Sequence, residues 1–104
     1  MVDATGGLKA EIEKDIKDNK AMIYSKSYCP HAKATKDLFA AQNLAAKIIE
    51  LDNVGNGAEI QNTLKQMTNQ GTVPNVFING KHIGGNSDVQ ALHQQGKLVS
   101  TYNA

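Results

Sequence analysis

The sequence predicts an α/β domain: a mixed four-stranded sheet flanked by helices on both faces. Three observations predict it. Leu8, Ile12 and Ile16 recur every four residues ahead of a short apolar run, Ala21 to Ser25, which is one face of an amphipathic helix feeding a buried strand. A helix and a second apolar run follow. The first half therefore reads strand–helix–strand, a parallel pair with a right-handed crossover. In the second half Asn79-Gly80 joins two short apolar runs. Asn-Gly is the strongest two-residue hairpin signal, because both central positions of a type I′ turn need positive φ.

The first helix spans roughly Leu8 to Asn19, and Ala21 to Ser25 is the first strand. Pro30 then opens a helix to about Gln42, since a proline at the first helical position gives up an N–H that has no intrahelical partner. Ala34, Leu38 and Ala41 mark its expected core face. Lys47 to Leu51 is the second strand. Asp52 to Gly57 reads as a loop by its Asn and Gly content. Ile60, Leu64 and Met67 stripe a helix from about Ala58 to Thr68. Asn75 to Ile78 and Lys81 to Ile83 are the hairpin strands. Ser87 with Gln90 forms a capping box, so a helix should begin at Ser87 and stop at Gly96. Leu98, Val99 and Tyr102 mark a last short helix.

At 104 residues the chain is expected to be one domain, 1–104. The cations are 11 Lys with no Arg, against 10 acidic residues. They are spread evenly, with 8 Lys and 8 acids in residues 1–52 and 3 and 2 in the remainder. A nucleic-acid binder needs a clustered basic footprint, so neither nucleic acid nor a membrane is an expected partner. Met1 to Asp18 is polar and carries no signal-peptide hydrophobic stretch. With a lone cysteine, this gives a cytoplasmic expectation.

That cysteine, Cys29, cannot form an internal disulfide or a cysteine-rich metal site, and no metal is expected. It is an inert small core residue or a nucleophile. Its position favours the second. It follows a strand and precedes a helix N-terminus, where unpaired N–H groups and the helix dipole favour the thiolate, the reactive form. Lys26 adds a positive charge three residues earlier. A Cys29/His31 hydrolase dyad is disfavoured, because residues two apart at a helix start do not readily face each other and no orienting third group is evident. His82 and His93 read as surface residues.

Tyr28-Cys29-Pro30-His31 after a strand, Gly71-Thr72-Val73-Pro74 before a strand, and Gly84-Gly85-Asn86-Ser87-Asp88 after a hairpin together resemble a glutaredoxin. The resemblance covers about Leu8 to Leu98. It implies a thioredoxin fold and a monomeric, glutathione-dependent thioltransferase. Glutathione would be the co-substrate and glutathionylated proteins the partners. Cys29 is then the catalytic nucleophile, with Lys26 and Pro30 in the catalytic segment. The same resemblance implies that the Val73–Pro74 bond is cis and that the Val73 backbone pairs with glutathione in the manner of strand addition. Thr72, Tyr28 and His31 flank the site, with His31 where the family often has Tyr. Gly85, Asn86, Ser87 and Asp88 grip the γ-glutamyl end: the helix N-terminus offers N–H donors to its carboxylate, and Asp88 accepts from its ammonium. Lys26 and Gln61 match positions that hold the glycine carboxylate.

The chain departs from the two-cysteine pattern at Ala32, which stands where the second cysteine would be. The glutathione-dependent single-thiol route needs only Cys29 and survives. Many members also carry a basic residue before Thr-Val-Pro, where this chain has Gly71, so Lys26 should carry more of the carboxylate recognition. The alternative reading is a dimer binding a [2Fe–2S] cluster through two Cys29 thiolates and two glutathiones. Pro30 speaks against it, since single-thiol cluster carriers usually have Gly there.

Overall fold

The computed structural model describes residues 4–104. Its elements run α1 (Ala4–Asp18), β1 (Ala21–Ser25), α2 (Pro30–Ala41), β2 (Lys47–Glu50), a 3₁₀ turn (Leu51–Asn53), α3 (Gly57–Thr68), β3 (Asn75–Ile78), β4 (Lys81–Gly84), α4 (Asn86–Gln94) and α5 (Leu98–Asn103). This is the predicted order, with one addition. Leu51 leaves the strand and begins the 3₁₀ turn, which tucks its side chain into the core. The sheet order is β2-β1-β3-β4. β1 pairs parallel with β2 and antiparallel with β3, and β3 pairs antiparallel with β4. Asn79 and Gly80 have φ of 52° and 78°, as the hairpin turn requires.

β1 is buried at every position, because it pairs on both edges and carries a helix layer on each face. Alternation along the strand divides its side chains between two cores. Met22 and Tyr24 join Phe77 and the α1 and α3 residues Ile12, Ile16, Ile60 and Leu64. Ala21 and Ile23 join Val76, Ile78, Phe39, Val89 and Leu98 on the other side. No helix among the described residues is long and apolar enough to cross a membrane.

Two local expectations are corrected. The core face of α2 is centred on Ala32, Thr35 and Phe39; of the expected Ala34, Leu38 and Ala41, Leu38 packs partly buried against the same core and Ala34 is half-buried. Phe39, the bulkiest apolar side chain of the helix, is buried in the core with Ile23, Val76 and Ile78, and this packing sets the rotation of α2. Ala41 is left exposed. α4 begins at Asn86 with Gly85 as its N-cap, not at Ser87. Asp88 rather than Gln90 reaches back, its carboxylate accepting the Gly85 N–H at 2.9 Å. A built Cβ on Gly84 would come within 2.2 Å of that carboxylate, and Gly84 has φ of 126°. Glycine there allows the close approach.

Tyr24 is fully buried, and its ring meets Phe77 edge to face at 6.1 Å and 86°. Its hydroxyl has no hydrogen-bond partner among the described residues, and burial pushes the phenol well above its usual pKa, so it is a neutral hydroxyl held among side chains. A buried polar group without a partner costs about 1–3 kcal/mol. Tyr24→Phe keeps the ring contact and removes the orphaned oxygen. The variant is expected to be more stable by about 1 kcal/mol in urea unfolding. A destabilised variant would show that the hydroxyl is satisfied in solution.

Candidate active site

The sheet topology gathers the site at one edge. β1 and β2 run parallel, so both carboxyl ends lie there, with Ser25 opposite Glu50. β3 runs the other way and begins at that edge, with Asn75 opposite Tyr24. β4 returns to it, with Gly84 opposite Val76. The four segments leaving or entering at this edge carry Lys26 to Cys29, Asp52, the loop before Pro74, and Gly85 to Asp88.

Cys29 is the N-cap of α2 at φ −86° and ψ 118°, and Pro30 opens the helix. The Cys29 N–H closes a tight turn onto the Lys26 carbonyl at 3.0 Å, and the Lys33 N–H donates to the Cys29 carbonyl at 2.9 Å. The amides of His31 and Ala32 precede that first helical bond and have no intrahelical acceptor. The N-cap side chain does not bond them, so among the described residues the helix presents its positive end beside the sulfur. Cys29 Sγ lies 3.9 Å from the Val73 carbonyl oxygen. The Val73–Pro74 bond is cis, as the resemblance implied, and the Val73 N–H has no partner among the described residues.

The loop that carries Val73 is tied down by neighbours in sequence. Gln70 donates from Nε2 to the carbonyls of Pro74 at 2.9 Å and Thr72 at 3.2 Å. Asn75 donates from Nδ2 to the Gln70 carbonyl at 3.4 Å. Its other amide atom, Oδ1, faces His82 Nε2 at 2.8 Å. That orientation makes Nε2–H the donor tautomer.

The expected residues divide by what they touch. Cys29, Val73 and Pro74 come together, with Tyr28, His31 and Thr72 exposed around them. Tyr28 is 71% exposed. Gln61 is committed in part, because its Nε2 donates to the Gly71 carbonyl at 2.7 Å. Asn86 turns inward. Its Oδ1 accepts from Thr35 Oγ1 at 2.9 Å and from Gln90 Nε2 at 3.2 Å, which ties α2 to α4. Ala32 is fully buried in the first turn of α2. Ser87 is exposed, and Asp88 holds the Gly85 amide as described. Among the described residues no group of three or more His, Cys, Asp or Glu is arranged to hold a metal ion.

Two residues without a sequence signal matter here. Asp52 accepts from the Ser27 N–H at 2.9 Å and from the Ser27 hydroxyl, which clamps the turn between β1 and Cys29. The Ser27 hydrogen bonds, with the nearby Lys26 charge, hold the Asp52 carboxyl below the usual carboxylate range. Gln70 is the second. Both partnerships depend on where the chain returns, and only the Gln70 one lies within a few residues.

The chain matches the sequence profile of the family described as Glutaredoxin over residues 21–83, from β1 into β4. It is 48% identical over 90 residues to Glutaredoxin-C6 of Oryza sativa subsp. japonica, covering 86% of this chain and 80% of that protein. It is 41% identical over 92 residues to Monothiol glutaredoxin-S12, chloroplastic, of Arabidopsis thaliana, covering 88% of this chain and 51% of that protein. Among solved structures, a buckwheat glutaredoxin–glutathione complex superposes with a TM-score of 0.92 at 38% identity, covering 95% of this chain and 90% of that one. With a thioredoxin-type sheet that delivers its one cysteine to a helix N-terminus beside a cis proline, this chain belongs to the glutaredoxin family and is a glutathione-dependent thiol oxidoreductase.

Proposed function

We propose that the chain reduces glutathione mixed disulfides by a single-thiol route through Cys29. The observation that carries this reading is the lone sulfur, set at the N-terminus of α2 and 3.9 Å from the Val73 carbonyl, with Ala32 buried where a second thiol would stand. The Cys29 thiolate attacks the glutathione sulfur of a glutathionylated protein. A Cys29–glutathione disulfide forms, the protein–glutathione bond breaks, and the electron pair leaves on the protein thiolate. A second glutathione thiolate then attacks the glutathione sulfur on Cys29. Oxidised glutathione leaves and the Cys29 thiolate returns. Each exchange conserves one disulfide: the incoming glutathione becomes one half of the oxidised glutathione, the glutathionyl group taken from the substrate becomes the other, and the proton of the incoming thiol ends on the protein thiol. The Cys29 thiolate is the leaving group of the second step.

In this reading the unpaired Val73 N–H and its carbonyl bond the backbone of glutathione as an added strand. The amides at the start of α4 receive the γ-glutamyl carboxylate, and Asp88, whose other oxygen remains open, receives the ammonium. Lys26 and the remaining capacity of Gln61 face the glycine carboxylate. Asn86 acts through its backbone, since its side chain holds α2. Tyr28, exposed beside the sulfur, offers an apolar contact to the glutathionylated protein. The route draws on reduced glutathione, in keeping with the cytoplasmic expectation.

The alternative is the dimer sharing a [2Fe–2S] cluster. With no local metal-binding group among the described residues, its protein ligands would be Cys29 from each of two chains. Anaerobic reconstitution tests it: a visible cluster spectrum on a glutathione-dependent dimer supports the cluster reading, and a colourless monomer supports the enzyme reading alone.

Two outcomes test the single-thiol route. Intact-mass measurement after incubation with oxidised glutathione should show a stable gain of one glutathionyl group, absent in Cys29→Ser. No gain, or a gain that survives the substitution, removes Cys29 as the nucleophile. Ala32→Cys should convert that adduct into an internal disulfide with a loss of two hydrogens. Cβ atoms three apart on a helix lie about 5–6 Å from each other, and a disulfide needs roughly 3.5–4.5 Å. The required shift falls in the first turn of α2. An unchanged adduct in this variant would show that the two positions cannot close.

A further inference from the structure

We propose that Lys65 is a second cationic contact for the glycine carboxylate of glutathione, a specificity role that rests on the single-thiol reading above. The direction of the bound tripeptide follows from its two ends. The γ-glutamyl group goes to the start of α4, which follows β4, while the central cysteine pairs with Val73. Antiparallel pairing then sets the C-terminal glycine opposite Thr72, and its carboxylate comes to Gly71.

α3 stands over that residue with two side chains one helical turn apart. Gln61 Nε2 reaches the Gly71 carbonyl at 2.7 Å. The Lys65 stem lies across the other side of Gly71. A Cβ built on Gly71 would meet Lys65 Cδ at 3.1 Å, Cγ at 3.5 Å and Cβ at 3.7 Å. The methylenes of Lys65 therefore fill the space a side chain at 71 would take. Gly71 has no left-handed φ to demand glycine, so what glycine provides here is room for this lysine. A lysine stem laid on backbone with its head in water is a common way for this side chain to deliver charge at a surface.

The two lysines differ in surroundings. Lys26 acts on the Asp52 carboxylate, which sits beside its turn. Lys65 makes no ion pair among the described residues, and its own helix places Gln61, an uncharged donor, one turn away on the same face. Its charge is available to a ligand anion.

The test is steady-state turnover of a glutathionylated peptide by the full chain at low salt. Lys65→Ala is expected to raise KM about two- to fivefold, the range of an exposed charge contact, with kcat unchanged. Raising the ionic strength should increase the wild-type KM and close the gap between the two proteins, since the contact is exposed. Removing the Lys65 stem opens the space beside Gly71, so Gly71→Lys in the Lys65→Ala background should restore KM and its salt dependence. Lys65→Arg should stay near the wild type. An unchanged KM in Lys65→Ala, a fall in kcat instead, or a failed rescue overturns the role of Lys65 and leaves the thioltransferase reading standing. A wild-type chain without turnover overturns that reading and this one together.

Discussion

Everything in the active site depends on β1 being held on both edges. The strand has no exposed residue. It is the one strand with a parallel neighbour on one side and an antiparallel neighbour on the other. That pairing fixes where the chain emerges at Ser25, and the next four residues have little freedom left. The Cys29 amide closes onto Lys26, and the helix begins at Pro30. The sulfur thus stands on a rigid element at a helix end, and its position does not depend on a flexible loop. Because the antiparallel neighbour β3 starts at the same edge, the Val73–Pro74 segment is delivered to the sulfur by the same pairing.

Around that frame, the polar groups divide between holding the site and facing a ligand. Asp52 clamps Ser27, Gln70 bonds two carbonyls of the 72–74 segment, and Thr35 with Asn86 joins α2 to α4. Each satisfies groups that would otherwise loosen the segments bearing Cys29, Val73 and the start of α4. Such support shells matter because a site mispositioned by about 1 Å loses much of its rate. Among the described residues, the first amides of α2 and α4 are left as open donors. In the proposed reading the start of α4 receives one carboxylate of the tripeptide, and the start of α2 faces the sulfur.

The departures from the sequence reading share a cause. Three small or medium apolar residues at helical spacing do not say which way α2 rotates, and the packing of Phe39 in the core does, leaving Ala41 exposed and Leu38 at the margin. The capping pattern points to Ser87, yet Gly85 occupies the N-cap position itself, with Asp88 supplying the returning bond. Asn86 belongs to the glycine-rich segment yet spends its side chain on Thr35, a residue 51 positions away.

Local order was legible from the chain alone. The alternation of helices and strands, the proline-led start of α2, the Asn79-Gly80 hairpin and the nucleophilic candidacy of Cys29 each rest on residues within a few positions of one another. Their physics is that of single turns and single faces, and a linear string carries it in full. The contacts that make a site of these pieces join distant stretches: Cys29 with Val73, Ser27 with Asp52, Lys65 with Gly71. Those were decided by strand pairing and by which side chains compete for the same space, and neither is present until the chain has closed on itself.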